Sequence, residues 1–221
     1  MARIRACLVD VYETLVAYDF VAHSRALAEL AGASHGAWRR AHVEVVKDFD
    51  RGALSVAQAI TRVLGACDVH PDAELVARLA RADSEYMTAR CGLYDDAVPF
   101  LRELRARGIK IALVSNCSAN TRPLLTALGL IELADETILS CEVGHAKPDP
   151  EIYLRALGAL GVAAEEAAFV DDQPAYCAGA AAVGVRPIQL ARQLAPGDGP
   201  PGDGHPGFPV ASSLPAAAAL L

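Results

Sequence analysis

Short apolar runs alternate with amphipathic stretches along much of the chain. The apolar runs predict five strands, over residues 4–9, 109–114, 136–140, 167–170 and 186–189. Helical patterns over 95–108 and 149–161 precede the second and the fourth strand, and Gly108 is a plausible C-cap of the first helix. This alternation predicts an α/β fold with a mostly parallel sheet covered by helices on both faces.

Residues 17–90 have a different pattern. They read as four successive amphipathic helices with no strand signal. We therefore predict a core domain made of residues 1–16 and 91–221, with residues 17–90 inserted as an all-helical domain. The Gly/Pro-rich segment 195–209 predicts an irregular loop, and a short strand or helix is expected after it.

Composition narrows the class of protein. The chain has 221 residues, 53% of them apolar, but no apolar run approaches the ~20 residues of a membrane span. The first residues lack the features of a secretory signal, so we expect a soluble, cytoplasmic protein, monomeric or homodimeric. A net charge of −7 disfavours nucleic-acid binding and leaves room for an anionic small-molecule substrate at a local positive site. Six cysteines without a C-x-x-C pair predict reduced thiols.

Polar side chains follow the predicted strands at the points where ligands bind in open parallel sheets. The first strand ends in Asp10, and "LVSN" ends the second. Lys147 lies in the loop after the third strand, within "KPDPEIY", and "FVDD" ends the fourth. Two carboxylate clusters, a hydroxyl, an amide and a lysine are therefore expected at one sheet edge.

This ordered set resembles the haloacid dehalogenase (HAD) superfamily over residues 5–190, on the motifs "LVDVYETL", "LVSN", "KPDPEIY" and "FVDD". The resemblance implies a Rossmann-like core with a helical cap inserted after the first motif. It implies that Asp10 is the nucleophile, since a carboxylate can form a covalent intermediate that water later opens. Thr14 and Ser115 would hold the transferring group, and Lys147 would offset the charge between two anions.

The resemblance also implies a Mg²⁺ site. Asp172 corresponds to the metal-binding acid of the superfamily, with Asp171 beside it, and Asp10 and the backbone carbonyl of Tyr12 would complete the ligands.

Tyr12 stands where the phosphatases of this superfamily carry a second aspartate that acts as acid and base. A phenol is a poor base at neutral pH, and Glu13 beside it is not expected to replace the aspartate. The L-2-haloacid dehalogenases carry a tyrosine there. Their pattern implies substrate binding by Tyr12, Asn116, Arg39 and Tyr153.

The fourth motif disagrees with the dehalogenase pattern. Dehalogenases are metal-free and have serines in place of Asp171 and Asp172, an asparagine in place of Gln173 and an aspartate in place of Tyr176.

Three functions stay open at this point. The first is a Mg²⁺-dependent hydrolase of a phosphorylated small molecule, for example an acyl, enol or aryl phosphate. The second is a 2-haloacid dehalogenase with a rearranged water-activating group, and the third is a weakly active or inactive relative that binds a ligand or partner. A further variant, in which Lys47 forms an imine as in enzymes that cleave carbon–phosphorus bonds, matches the chain only at this lysine.

Overall fold

A six-stranded parallel sheet forms the centre of the molecule. The computed structural model describes residues 3–192 and 207–221. The strands are β1 Ala6–Val9, β2 Val16–Ala17, β3 Gly92–Leu93, β4 Lys110–Ser115, β5 Glu136–Leu139, β6 Ala167–Asp171, β7 Arg186–Leu190 and β8 Val210–Ala211. The order in the main sheet is β5-β4-β1-β6-β7-β8, and all its neighbours are parallel. The five predicted strands are confirmed, with ends that differ by at most two residues.

The position of β1 determines where the polar strand ends meet. Although β1 is first in the chain, it lies between β4 and β6, with Val9 opposite both Leu113 and Val170. Asp10 and Asp171, each one residue further on, therefore leave adjacent strands at the same edge. The Asp10 N–H donates to the carbonyl of Val170 at 2.9 Å, which extends this pairing by one residue.

Helices cover both faces of the sheet, as the alternating pattern predicts. The helices are α1 Phe20–Ala31, α2 His35–Asp50, α3 Val56–Ala66, α4 Ala73–Arg90, α5 Ala97–Ala106, α6 Thr121–Ala127, α7 Ser140–Val143, α8 Pro150–Leu160, α9 Pro174–Ala182 and α10 Leu214–Ala218. Helices α5 and α10 bury Phe100 and Leu214 on one face. Helices α8 and α9 bury Ile152 and Ala180 on the other.

Helix α5 ends where the sequence predicts. Gly108 has a φ of 71°, which glycine adopts without steric cost. Its N–H donates to the carbonyl of Arg105, and the N–H of Ile109 donates to that of Leu104. This pair of bonds is the Schellman motif, and it places Gly108 one residue beyond the cap residue Arg107.

Helices α1–α4, which we call the helical insert, have an apolar core of their own that includes Trp38, Ile60 and Leu79. Each of these helices begins after a side chain that accepts a backbone hydrogen bond at its N-terminus, from Asp19, Ser34, Ser55 and Asp72. The insert leaves and rejoins the sheet domain through the antiparallel pair β2 and β3. The division into two domains at residues 16 and 91 stays a prediction.

The end of the chain has both a strand and a helix, β8 and α10, where the sequence predicts one or the other. Residues 195–206 of the predicted irregular loop lie outside the described residues. All six cysteines lie within the described ranges, and none of them is paired in a disulfide there. Among the described helices, none combines the length and hydropathy needed to cross a bilayer.

Candidate active site

A buried lysine between two carboxylates forms the centre of the site. Lys147 Nζ donates to Asp10 Oδ1 and, at 2.7 Å, to Asp171 Oδ2. All three side chains are buried, with at most 8% of any of them exposed. Charged groups are rarely buried at such a depth unless they are paired, so this arrangement places a defined charge cluster at the sheet edge.

The side chain of Asn116 holds the lysine in position. Its Oδ1 accepts from the Lys147 backbone N–H at 2.6 Å, and its Nδ2 donates to the Lys147 carbonyl at 2.8 Å. A third bond, from Nδ2 to the Tyr176 hydroxyl at 3.3 Å, orients the amide. The loop that carries Lys147 follows the edge strand β5, and these bonds tie it to the end of the neighbouring strand β4.

Burial and the neighbouring charges shift the pKa values in the cluster. Burial alone would lower the pKa of Lys147, but the charges of Asp10 and Asp171 outweigh burial and raise it. Burial raises the pKa of Asp171 to about 8 in spite of Lys147. Burial and the charge of Asp10 raise the pKa of Asp172 to about 6. The cluster thus combines three carboxyl groups with one ammonium group.

The same residues fit a divalent cation. Asp10, Asp171 and Asp172 each offer a carboxylate oxygen within 4.8 Å of the others. With Lys147 the fully ionised group carries a formal charge of −2, which one Mg²⁺ would neutralise. Hard oxygen donors are the ligands that Mg²⁺ prefers.

Two hydroxyl groups predicted to hold the transferring group are buried beside the strand ends. Thr14 Oγ1 has no hydrogen-bond partner among the described residues, and Ser115 Oγ makes only a long bond of 3.4 Å to the Asn116 carbonyl. The backbone of Thr14 is fixed, since its carbonyl accepts from Arg192 at 2.6 Å. Arg192 is fixed in turn by two bonds to Asp96. Buried hydroxyls usually have a partner, so the Thr14 hydroxyl is a donor that no described residue uses.

The phenol of Tyr12 is largely buried and hydrogen-bonded. Burial raises the pKa of its phenol above the ordinary value, so the group stays protonated at neutral pH. Its hydroxyl is paired with Thr121 Oγ1 at 2.8 Å. The hydroxyl group of Tyr12 therefore already has a hydrogen-bond partner.

The carboxylate of Glu13 has a structural role. Its carboxylate accepts from the Tyr18 backbone N–H at 2.6 Å and from the Tyr94 hydroxyl at 3.1 Å. These bonds join the two chain segments that connect the helical insert to the sheet. Glu13 also has a φ of 59°, a region unusual for a residue other than glycine. The expectation that Glu13 does not replace the aspartate agrees with these contacts.

A cavity of about 250 Å³ lies between the helical insert and the edge of the sheet. Its floor includes Tyr12 and Asn116, which adjoin Asp10 and Lys147. Its walls come from all four helices of the insert and are mainly apolar. Trp38, Val45 and Phe49 of α2 and Ile60 of α3 are among the lining residues.

The structure does not bring Arg39 or Tyr153 to this cavity, so direct substrate contact by either is not supported. Arg39 is exposed and does not line the cavity, although it lies one turn before His42 on α2. Tyr153 is fully buried between α8 and the sheet, and its hydroxyl donates to the Tyr176 carbonyl at 2.8 Å. Its position in the core follows from its place on the sheet-facing side of α8. Lys47 is exposed and also lies outside the cavity lining.

Sequence reasoning missed the polar residues that the insert contributes. Asp50, His42, His23 and Asp83 all line the cavity. Burial raises the pKa of Asp50 to about 6 and lowers the pKa of His23 to about 4. The sequence pattern indicates these residues only weakly, as polar residues at helix positions that can also be buried.

Comparisons with known proteins point to one family and two activities. The sequence profile of the haloacid dehalogenase-like hydrolases matches residues 4–184. A phosphoserine phosphatase of Thermus thermophilus is 42% identical over 111 residues, which cover 49% of this chain and 45% of that protein. The (S)-2-haloacid dehalogenase 1 of a Pseudomonas species is 28% identical over 203 residues, which cover 87% of this chain and 86% of that protein.

A solved structure of 2-haloacid dehalogenase from Pseudomonas syringae superposes with a TM-score of 0.74 at 20% identity, and it covers 99% of this chain and 100% of the other. At that identity the likeness shows the fold alone. The matches to curated phosphatases cover between 45% and 59% of the length of those proteins. The relatives therefore support a hydrolase, but they do not decide which bond it breaks.

Proposed function

Since the chain belongs to the haloacid dehalogenase-like hydrolase family, we propose that this hydrolase removes phosphate from a phosphorylated small molecule with the help of Mg²⁺. The observation that supports this most is the charge cluster, in which three carboxylates meet within 4.8 Å and one lysine pairs with two of them. The pattern of the metal-free dehalogenases has serines in place of Asp171 and Asp172. We also propose that residues 17–90 act as a cap over the site.

The residues of the cluster suit a two-step displacement. An Asp10 carboxylate oxygen forms a bond to phosphorus while the bond from phosphorus to the ester oxygen breaks, and that oxygen leaves with the electron pair. The result is an acyl phosphate on Asp10, which water opens to give inorganic phosphate and the free carboxylate. Lys147 pairs with Asp10 and orients its carboxylate, and the unpaired Thr14 hydroxyl is free to donate to a phosphate oxygen.

Asp10, Asp171, Asp172 and the backbone carbonyl of Tyr12 would hold the Mg²⁺. When bound, the ion supplies positive charge that balances the phosphate oxygens and the carboxylates. Asn116 keeps Lys147 in place during both steps, because its hydrogen bonds go to the lysine backbone and not to the ammonium group.

Tyr12 limits the range of substrates. General acid catalysis at this position is typically worth ~10²–10⁴-fold, and a protonated phenol paired with Thr121 does not supply a strong acid. We therefore propose that turnover is fastest for leaving groups that depart as stable anions. Aryl, enol and acyl phosphates have this property.

Dehalogenation of a 2-haloacid is the second candidate. Tyr12 and the likeness to the Pseudomonas dehalogenase over most of both chains favour it. Two observations speak against it. Asp171 and Asp172 stand where the dehalogenase pattern has serines, and no lysine or arginine among the described residues lines the cavity to bind a carboxylate.

The test is release of phosphate from a panel of alkyl, aryl and acyl phosphates, with Mg²⁺ and with EDTA. The Asp10→Asn variant serves as the background, and Asp48→Asn, on the exposed side of α2, is the control for loss of one negative charge. Mg²⁺-dependent release that Asp10→Asn abolishes and Asp48→Asn retains would support the proposal. Chloride release from 2-chloropropionate that persists in EDTA would replace it with the second candidate. Release of neither ion would favour a relative that only binds.

A further inference from the structure

The cavity above the site has the composition of a binding pocket for an uncharged aromatic group. We infer that it holds the leaving group of the substrate and selects an uncharged aromatic hydroxyl compound over one that carries a second negative charge. This inference rests on the proposed function, because the leaving group is defined by the phosphoryl transfer.

The cavity is apolar and rich in aromatic rings. Tyr12 and Tyr18 line it from the segment after β1, and Trp38 and Phe49 line it from α2. Aromatic pairs favour offset or edge-to-face contacts, which add to the gain from burying apolar surface. A planar ring inserted among these side chains therefore finds partners on several sides.

Several polar groups around the cavity already have partners, whereas His23 Nε2 lies 3.4 Å from Asp83 Oδ1 without a hydrogen bond. The Tyr18 hydroxyl pairs with His23 Nδ1 at 2.9 Å, and Asn120 Nδ2 donates to Asp83 Oδ2 at 2.6 Å. Tyr12 is paired with Thr121, as described above. A ligand rich in hydrogen-bonding groups would have to break these bonds or bury its own groups without partners, and either is costly.

The charge of the cavity opposes a second anion. Among the described lining residues there is no lysine or arginine, whereas Asp50 and Asp83 are both present. The two lining histidines do not offset them at neutral pH, since burial lowers the pKa of both His23 and His42. A carboxylate on the leaving group would thus lie near acids in a partly desolvated space, without a cation to bind it.

The size of the cavity matches one substituted ring. Cavities of about 150 Å³ in proteins are known to admit benzene. The cavity here measures about 250 Å³, which leaves room for a ring with a small substituent. The absence of a strong acid at position 12 also favours an aromatic leaving group, because phenols are better leaving groups than alkyl alcohols.

The experiment compares three matched substrates with Mg²⁺: phenyl phosphate, 4-carboxyphenyl phosphate and the phosphate of methyl 4-hydroxybenzoate. The last two have para substituents of similar shape, and only one of these is charged. We expect kcat/KM for the neutral ester to exceed that for the carboxylate by at least about tenfold, the effect of one unfavourable charge contact. Equal rates, or a preference for the carboxylate, would overturn the inference while phosphate release itself leaves the proposed function intact.

A charge variant tests whether the discrimination between the two substrates arises in the cavity. Asp50→Asn removes a negative charge from the cavity, whereas Asp48→Asn removes one from the same helix at an exposed position that does not line the cavity. We expect Asp50→Asn to reduce the discrimination against 4-carboxyphenyl phosphate several-fold, and Asp48→Asn to leave it unchanged. The same reduction in both variants would place the discrimination outside this cavity.

A binding measurement keeps the inference testable if no phosphate ester is turned over. Trp38 is the only tryptophan of the chain and lines the cavity, so its fluorescence reports on occupancy. Titration with phenol and with 4-hydroxybenzoate should quench it at lower concentration for phenol. Preferential binding of 4-hydroxybenzoate would refute the inference, and failure of phosphate release alone would refute only the proposed function.

Discussion

Replacing Lys147 by methionine tests the buried charge cluster most directly. Methionine keeps most of the length of the side chain and removes its charge, so Asp10 and Asp171 lose the cation between them. At an effective dielectric constant of 20, the attraction across the 2.7 Å contact with Asp171 alone is about 6 kcal/mol. That figure is a gross attraction, because the carboxylates can take up a proton when the cation is lost. Leaving buried partners unpaired typically costs about 3–5 kcal/mol, and we expect a loss of stability of this size.

The measurement is urea unfolding near pH 7 in EDTA, for the wild type, for Lys147→Met and for Lys47→Met. Lys47 is an exposed lysine, so the same substitution there should change the free energy of unfolding by less than about 0.5 kcal/mol. The double variant Lys147→Met/Asp10→Asn has one carboxylate fewer. It should recover at least about 1 kcal/mol of the loss, because the two sites are in contact and their effects do not add.

Two results would refute this reasoning. A loss below about 1 kcal/mol in Lys147→Met would mean that the lysine does not stabilise the carboxylates in solution. A double variant that is less stable than Lys147→Met would mean that repulsion among the carboxylates is not the source of the loss.

Three further predictions follow from particular contacts. Gly52→Ala should cost at least about 2 kcal/mol and Gly129→Ala about 1 kcal/mol in urea unfolding. Both glycines have a positive φ, but only a Cβ at Gly52 would collide with the Cys141 carbonyl oxygen, and equal losses would contradict this. Mg²⁺ at a hundredfold excess over its Kd should stabilise the protein by about 2.7 kcal/mol, seen as a rise in Tm, and Asp172→Asn should weaken the response; a Tm indifferent to Mg²⁺ would argue against the metal site. His23 has its folded-state pKa lowered to about 4, so the unfolded state binds the proton first, and stability falls as the pH drops below the unfolded pKa of about 6.5. The His23 contribution should fall by about 2 kcal/mol between about pH 7 and about pH 5, and the same slope in His23→Gln would disprove it.

Much of the site was predictable because parallel strands present their carboxyl ends at one edge. Asp10, Asp171 and the "LVSN" segment each follow a buried apolar run, and such runs are recognisable from local sequence. The register of β1 between β4 and β6 then brings those ends together. Lys147 lies in a loop that follows the edge strand, and it reaches the site because Asn116, at the end of β4, holds that loop by hydrogen bonds. Such a bond joins residues 31 positions apart, so the local sequence carries no signal for it.

Residues on the helices were harder to assign from the sequence. Amphipathic spacing separates the buried side of a helix from its exposed side, but it does not show which neighbour the buried side meets. Tyr153 and Trp38 are both buried helical aromatic residues. Tyr153 packs against the sheet with its hydroxyl occupied, and Trp38 lines the cavity. Arg39 is next to Trp38 in the chain and is exposed.

The sequence by itself therefore determined the α/β class, the helical insert and the chemistry at the strand ends, since these depend on local periodicity and on residue type. The tertiary structure alone decided what surrounds that chemistry. Packing of the insert against the sheet edge places aromatic side chains and two carboxylates above the site. The described lining residues include no lysine or arginine. The physical reason is that the composition of a cavity depends on the relative placement of helices from distant parts of the chain. That placement results from many long-range contacts and from no single segment.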